Sequence, residues 1–114
     1  MALGLKTIRY RFDSTARIGQ TETQKVDFGG RRIVRDQKQA PILQAALAGF
    51  DIHFENGDHP VARLEIMLAN VGIVPDTRDT EAEATVRFLI RDASGNIDDP
   101  FSGVVEVLFI AEVV

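Results

Sequence analysis

The run from Asp92 to Phe101, DASGNIDDPF, holds the densest set of ligand-forming side chains in the sequence. Asp92, Ser94, Asn96 and Asp98 recur at every second position, with Asp99 beside them. Hard oxygen donors at that spacing are what a tight loop offers to calcium. The helix-loop-helix calcium pattern is not met, because glycine stands at Gly95 rather than at the sixth loop position and the twelfth position is Gly103, without a carboxylate. The same side chains equally satisfy their own backbone in an ordinary hairpin loop. A second polar group is His53, Asp58 and His59, two imidazoles and a carboxylate within seven residues. Such groups bind metals or move protons when they converge. Here His53 falls on the polar side of an extended run with Asp51, while Asp58 and His59 follow the Asn56-Gly57 turn signal. They read as solvated turn residues that can form a polar pocket with Arg63.

Covalent chemistry finds little support. Ser14, Ser94 and Ser102 lack the glycine-flanked context of a nucleophile elbow, and Gly29-Gly30 lacks the lysine and threonine spacing of a phosphate loop. Asp98 and Asp99 point to opposite sides of an extended chain, which disfavours a shared acid–base role. The absence of cysteine removes disulfides, thiolate zinc sites and cysteine nucleophiles from the inventory. The chain is expected to be a binding module and not an enzyme, with no cofactor other than a possible calcium ion in the 92–98 loop.

Net charge is −4, which argues against general nucleic-acid binding, since neutralising phosphates needs a basic face. The charge is unevenly spread. Residues 1–40 hold nine Lys or Arg and four Asp or Glu (+5); residues 41–114 hold four and thirteen (−9). The expectation is that the two halves pair, as neighbouring strands or as complementary subunit faces. Lys6 and Arg9 interrupt the N-terminal segment, and no apolar run approaches membrane-spanning length. A soluble protein with no signal peptide, no membrane partner and an undetermined compartment is expected. At 114 residues, a single domain spanning 1–114 is expected, small enough for oligomer contacts to add materially to stability.

The elements that must position these residues read as extended. Ile8, Tyr10 and Phe12 alternate with Thr7, Arg9 and Arg11. Residues 13–24 are polar without an apolar period and read as a loop. Lys25–Phe28, the Gly29-Gly30 turn and Arg31–Arg35 read as a short strand, a turn and another extended piece. Residues 40–54 carry a helix signature, with Pro41 near the start and Gly49 at the stop, yet Leu43, Ala45 and Leu47 alternate, as do Phe50, Ile52 and Phe54. The extended reading is preferred, with Gly49 marking a bulge that switches the inward side. ENGDHP then reads as a hairpin into Val61–Asn70, where Ala62, Leu64, Ile66 and Leu68 oppose Arg63 and Glu65. A polar connection over 72–83 leads to Ala84–Arg91, with Val86, Phe88 and Ile90 on one side. The last strand, Val104–Val114, is apolar on both faces apart from Glu106 and Glu112. Such a strand needs two covers, its own core and a second one supplied by another subunit. About six strands separated by turns predict an antiparallel β-sandwich.

Over about residues 26–114 the layout resembles the H-type lectin family. The resemblance rests on AALAGFDI at 45–52, on Asn56 and Arg63 ahead of LEIMLANV, and on a penultimate strand that leads through RDASGNIDDPF to a final strand ending in FIAEV. It implies a six-stranded sandwich that assembles as a trimer or hexamer and binds sugars such as N-acetylgalactosamine. Carried over by position, it places Asp92 at the family's polar loop residue and Arg63 at its strand-entry arginine. The family carries tryptophan around this loop. This chain has none, which leaves Phe101 as the nearby aromatic to stack on a sugar. The expected ligand set is Arg63, Asp92, Asn96, Asp98 and Asp99 donating to and accepting from glycan hydroxyls, with Asp58 and His59 at the margin. The alternative is a structural subunit of a larger particle, such as a phage-tail-like assembly, in which the same sandwich only packs.

Overall fold

The computed structural model describes residues 2–15, 20–54, 61–92 and 101–114. Six strands run in chain order: β1 (Ala2–Thr15), β2 (Gln20–Asp27), β3 (Leu43–Phe54), β4 (Val61–Ile73), β5 (Glu81–Asp92) and β6 (Phe101–Val113). They form two three-stranded antiparallel sheets, ordered β1-β6-β3 (sheet A) and β2-β5-β4 (sheet B), packed as a sandwich. The all-β reading therefore holds, and the helical alternative for 40–54 does not. The chain bulges between Leu47 and Gly49, so Leu47 and Phe50 pair with Val107 and Val105 and both face inward. An inserted residue reverses the alternation of side chains, which is how the two apolar sets of this strand reach one side.

Three expectations need correction. Of residues 13–24, read as a loop, 13–15 are the end of β1 and 20–24 the first half of β2. The inward residues of 20–24 are Gln20, Glu22 and Gln24, on the half-open flank where β1 lies over β2, so the apolar alternation that marks a strand is missing there. The turn around Asn56-Gly57 does not close a hairpin, because β3 belongs to sheet A and β4 to sheet B. Strands β5 and β6, which precede and follow residues 93–100, likewise belong to different sheets and are not a hairpin. Among the described residues the sequential hairpin is β4–β5, closed by residues 74–80. There Val74 N donates to the Glu81 carbonyl, while Asp76, Arg78 and Asp79 take positive φ. At the Gly29-Gly30 turn both glycines are left-handed, φ 73° and 75°, and the Gly30 amide is held by Asp27 Oδ1 at 2.6 Å.

The core is centred on the two middle strands. From β5 come Ala84, Val86, Phe88 and Ile90; from β6 come Phe101, Val105, Val107, Phe109 and Ala111. Phe88 is edge-on to both Phe12 (centroids 4.2 Å apart) and Phe101 (5.4 Å), the geometry in which ring quadrupoles attract. Tyr10 is fully buried and donates its hydroxyl to the Ala84 carbonyl at 2.7 Å. This bond crosses from sheet A to sheet B. Gly103 allows the closest approach of β3, since a Cβ there would stand 2.9 Å from Ile52 Cα and 2.5 Å from the Asp51 carbonyl oxygen.

The expected charge pairing is visible in the strand order. Basic β1 lies beside β6, with Arg9 Nη2 2.7 Å from Glu106 Oε1, and Lys25 of β2 is opposite Glu83 of β5. No helix among the described residues is long and apolar enough to cross a membrane.

Candidate functional site

Two regions bring chemically competent side chains together. The first is the end of the sandwich where β1, β3 and β5 finish and β4 and β6 begin. Register places Thr15 and Phe54 opposite Phe101 in sheet A, and Val61 opposite Asp92 in sheet B. Arg63 is one pairing step inward, opposite Arg91. Arg63 and Asp92, far apart in sequence, are thus brought to neighbouring positions on adjacent strands. The Arg63 side chain is mostly exposed, and its Nη2 donates to Glu65 Oε2 at 2.6 Å. An exposed guanidinium paired on one side keeps other donors for a ligand oxygen.

Phe101 does not serve this end in the way expected of it. Its ring is fully buried, edge-on to Phe88, with the Arg91 guanidinium carbon 5.5 Å from its centroid. Position 101 is the first inward position of β6, so its aromatic surface is already used by the core and by a cation–π contact. It is not available to stack on a sugar. Arg91, by contrast, was not singled out from the sequence; its only signal there is its place at the polar end of an alternating run, and the register that sets it beside Arg63 is not readable from one strand. Ser94, Asn96, Asp98 and Asp99, with Asp58 and His59, lie outside the described residues, as does the side chain of Asp92. Among the described residues no group of three metal-ligating side chains converges. His53 and Asp51 do share a face, His53 Nδ1 lying 3.7 Å from Asp51 Oδ1.

The second region is the outer face of sheet A. Along β6 every inward residue is buried and every outward one half-buried. The outward row holds Val104, Leu108 and Ile110, the second apolar face read from the sequence. On the flanking β1, Leu3 and Leu5 are 67% and 56% exposed. Leu3 itself lines a groove of about 690 Å³ that crosses the sheet to Pro41, Ile42 and Gln44 by way of Ile110 and Glu112. Toward the other end the same face becomes charged, with the Arg9–Glu106 pair, Arg11 and Asp51. The outer face of sheet B differs: Thr23 and Thr85 share a hydrogen bond at 2.8 Å, and Lys25 and Arg87 lie one row to either side of them, with Glu65 and Arg63 farther along the same face.

A third polar cluster closes the opposite end. Arg35 makes a two-pronged contact with Asp79 (3.0 and 3.2 Å) and donates to the Gln39 carbonyl. The hydrogen bond from Arg35 holds the Asp79 carboxyl below the ordinary carboxylate range, aided by the charges of Arg35 and Arg32 against some desolvation. Both partners already satisfy each other, and the pair ties the β2–β3 connection to the β4–β5 turn. It is an architectural contact. No family model, curated protein or solved structure matches the chain.

Proposed function

We propose that the chain is a non-enzymatic, homo-oligomeric binding module of H-type lectin-like architecture, built as a trimer or hexamer, whose ligand is a carbohydrate held at the Arg63–Asp92 end. The observation that carries the assembly part is the apolar outer face of sheet A. Leu3, Leu5 and Ile42 are exposed there beside half-buried Leu108 and Ile110. A contiguous apolar strip of this kind on a sheet face marks an interaction surface. The sugar part is supported by Arg63, exposed near the end of β4 and with guanidinium donors suited to hydroxyls, on the strand next to the one that ends at Asp92. With Phe101 withdrawn into the core, recognition rests on hydrogen bonds rather than stacking.

That withdrawal also favours the second reading, a structural subunit that packs and holds no small ligand. A glycan array separates the two. The sugar reading expects wild-type protein to bind a subset of glycans, with Asp92→Ala losing at least about tenfold of that signal, the scale of one charge-assisted hydrogen bond. Binding to no glycan, with or without added calcium, removes the sugar reading and leaves the structural one. Sedimentation of wild type as a monomer at high concentration removes both.

A further inference from the structure

At the end of the sandwich opposite Arg63, the segment 32–35 is pinned from two sides by backbone hydrogen bonds. Ile33 N donates to the Asp79 carbonyl in the β4–β5 turn, Val34 N to the Glu112 carbonyl of β6, and the Val114 amide to the Arg32 carbonyl. Ile33 is buried and bridges Val113, so it anchors the segment, while Arg32 beside it is exposed. These pieces border a recess of about 370 Å³ whose lining includes Arg32, Val34, Arg35, Asp79 and Val114. Two arginines less one aspartate give the recess a charge of +1, in a chain whose net charge is −4.

The charged groups differ in the bonds they have left to form. Arg35 commits Nε and Nη2 to Asp79 and Nη1 to the Gln39 carbonyl. Arg31 turns its Nε to the Val114 main-chain oxygen at 2.8 Å. Arg32 makes no side-chain hydrogen bond or ion pair among the described residues, yet its charge reaches the Asp79 carboxylate. A guanidinium holds five N–H donors in a planar fork that matches a carboxylate. Asp79 accepts one bond from Arg35 on each oxygen and keeps a lone pair on each.

We infer that this recess binds a small monocarboxylate with a hydroxyl one or two carbons from its carboxyl group. Arg32 takes the carboxylate in two parallel bonds, the hydroxyl donates to Asp79, and the apolar remainder lies against Val34 and the half-exposed Val114. The charge of +1 matches a monoanion. A dianionic phosphate exceeds it and sets uncompensated charge beside Asp79. The volume falls within the roughly 300–1,000 Å³ of small-molecule sites, and backbone bonds hold the walls in place before a ligand arrives, so little ordering opposes binding. The Arg35–Asp79 pair stays architectural. Arg32 is the group that it leaves over for a ligand.

Saturation-transfer difference NMR on the intact chain reads weak binding at any oligomer size. The probes are 2-hydroxyisovalerate and 3-hydroxyisovalerate, with isovalerate lacking the hydroxyl and methyl 2-hydroxyisovalerate lacking the charge. At least one hydroxy acid is expected to bind with a Kd of about 1 mM, isovalerate about tenfold more weakly for want of one hydrogen bond to a charged group, and the ester without detectable transfer. Arg32→Gln should weaken binding by at least about tenfold, whereas Lys38→Gln, which removes the same charge outside the lining, leaves it within about twofold. Both residues are exposed, so both variants are compatible with the fold. No transfer to either hydroxy acid, or equal losses in the two variants, overturns the site. Isovalerate binding as tightly as the hydroxy acids overturns the part given to Asp79. The recess is independent of the sugar reading: a failed glycan array leaves these outcomes unchanged, and an empty recess leaves the Arg63 end unchanged.

Discussion

Replacing Tyr10 by Phe should make the protein less stable near neutral pH and more stable in strong alkali. Tyr10 is fully buried on β1 and its hydroxyl donates to the Ala84 carbonyl at 2.7 Å. Removing that donor costs about 1 to 1.5 kcal/mol near pH 7, the usual net value of a buried neutral hydrogen bond. Burial pushes the phenol up from 10.0 to about 12, with the Gln24 backbone amide opposing and the charge of Glu22 adding to the rise. A folded-state pKa raised in this way contributes stability that is fully present below about pH 10 and is lost as pH climbs through 12, because the unfolded chain ionises first. At about 1.4 kcal/mol per unit, the loss is about 1.4 kcal/mol near pH 11 and about 2.3 kcal/mol near pH 12. The variant has no phenol to titrate, so its stability curve should cross that of wild type near about pH 11. Denaturant unfolding followed by circular dichroism at stepped pH measures the difference, and the lysines common to both proteins cancel. Because Tyr10 is the single tyrosine and tryptophan is absent, phenolate absorbance reads the same group directly in the folded protein. A native phenolate midpoint near 10, or a stability difference that does not change with pH, would refute the reasoning.

Three further outcomes follow from the packing. Gly103→Ala should lose about 1 to 3 kcal/mol in chemical unfolding, since its Cβ meets backbone atoms of Asp51 and Ile52 that can only move with β3; an unchanged unfolding midpoint would show that β3 does not approach so closely. Phe101→Leu should lower stability by about 1 to 3 kcal/mol through the lost contact with Phe88 and Arg91, while leaving any glycan signal intact, and loss of binding at full stability would restore a ligand role to the ring. Asp79→Asn retains a residue tolerant of the left-handed backbone at that position and removes only the charge. The depressed carboxyl pKa contributes stability present above about pH 4 and lost as pH falls below it, so wild type should lose more stability on acidification than the variant, as read by parallel acid titrations.

Much of the fold was legible because alternation is a local property. Val86, Phe88 and Ile90, and Val105, Val107 and Phe109, could each be placed on a face from the order of residues alone, and the structure buries those faces; the Gly49 bulge was legible too, although Leu47 and Phe50, which it brings to one side of β3, stay exposed. Strand β2 was missed over 20–24 for the complementary reason. Its inward residues are polar, and Glu22 keeps one carboxylate oxygen without a hydrogen-bond partner while the other accepts from Gln24. A strand whose half-buried inner side is polar leaves no apolar period to find. The candidate site was legible only in part: Arg63 could be named from its position, but Arg91 beside it and the withdrawal of Phe101 depend on register between strands distant in sequence.

What the amino-acid order settles by itself is which residues avoid water, the strand character that follows from their period of two, and the two-sided apolar nature of β6. What it leaves open is which strand lies beside which. Asn56-Gly57 favours a tight turn, yet the strands on either side of it lie in different sheets, β3 paired with β6 and β4 with β5, because each is placed by the central strand it lines rather than by its neighbour in sequence. Sheet order, and with it the rows that align Leu5 with Gln44 and Arg11 with Asp51, arises from long-range burial shared among all six strands. No single segment carries that information, since each strand offers two equivalent edges and only the assembled core decides between them.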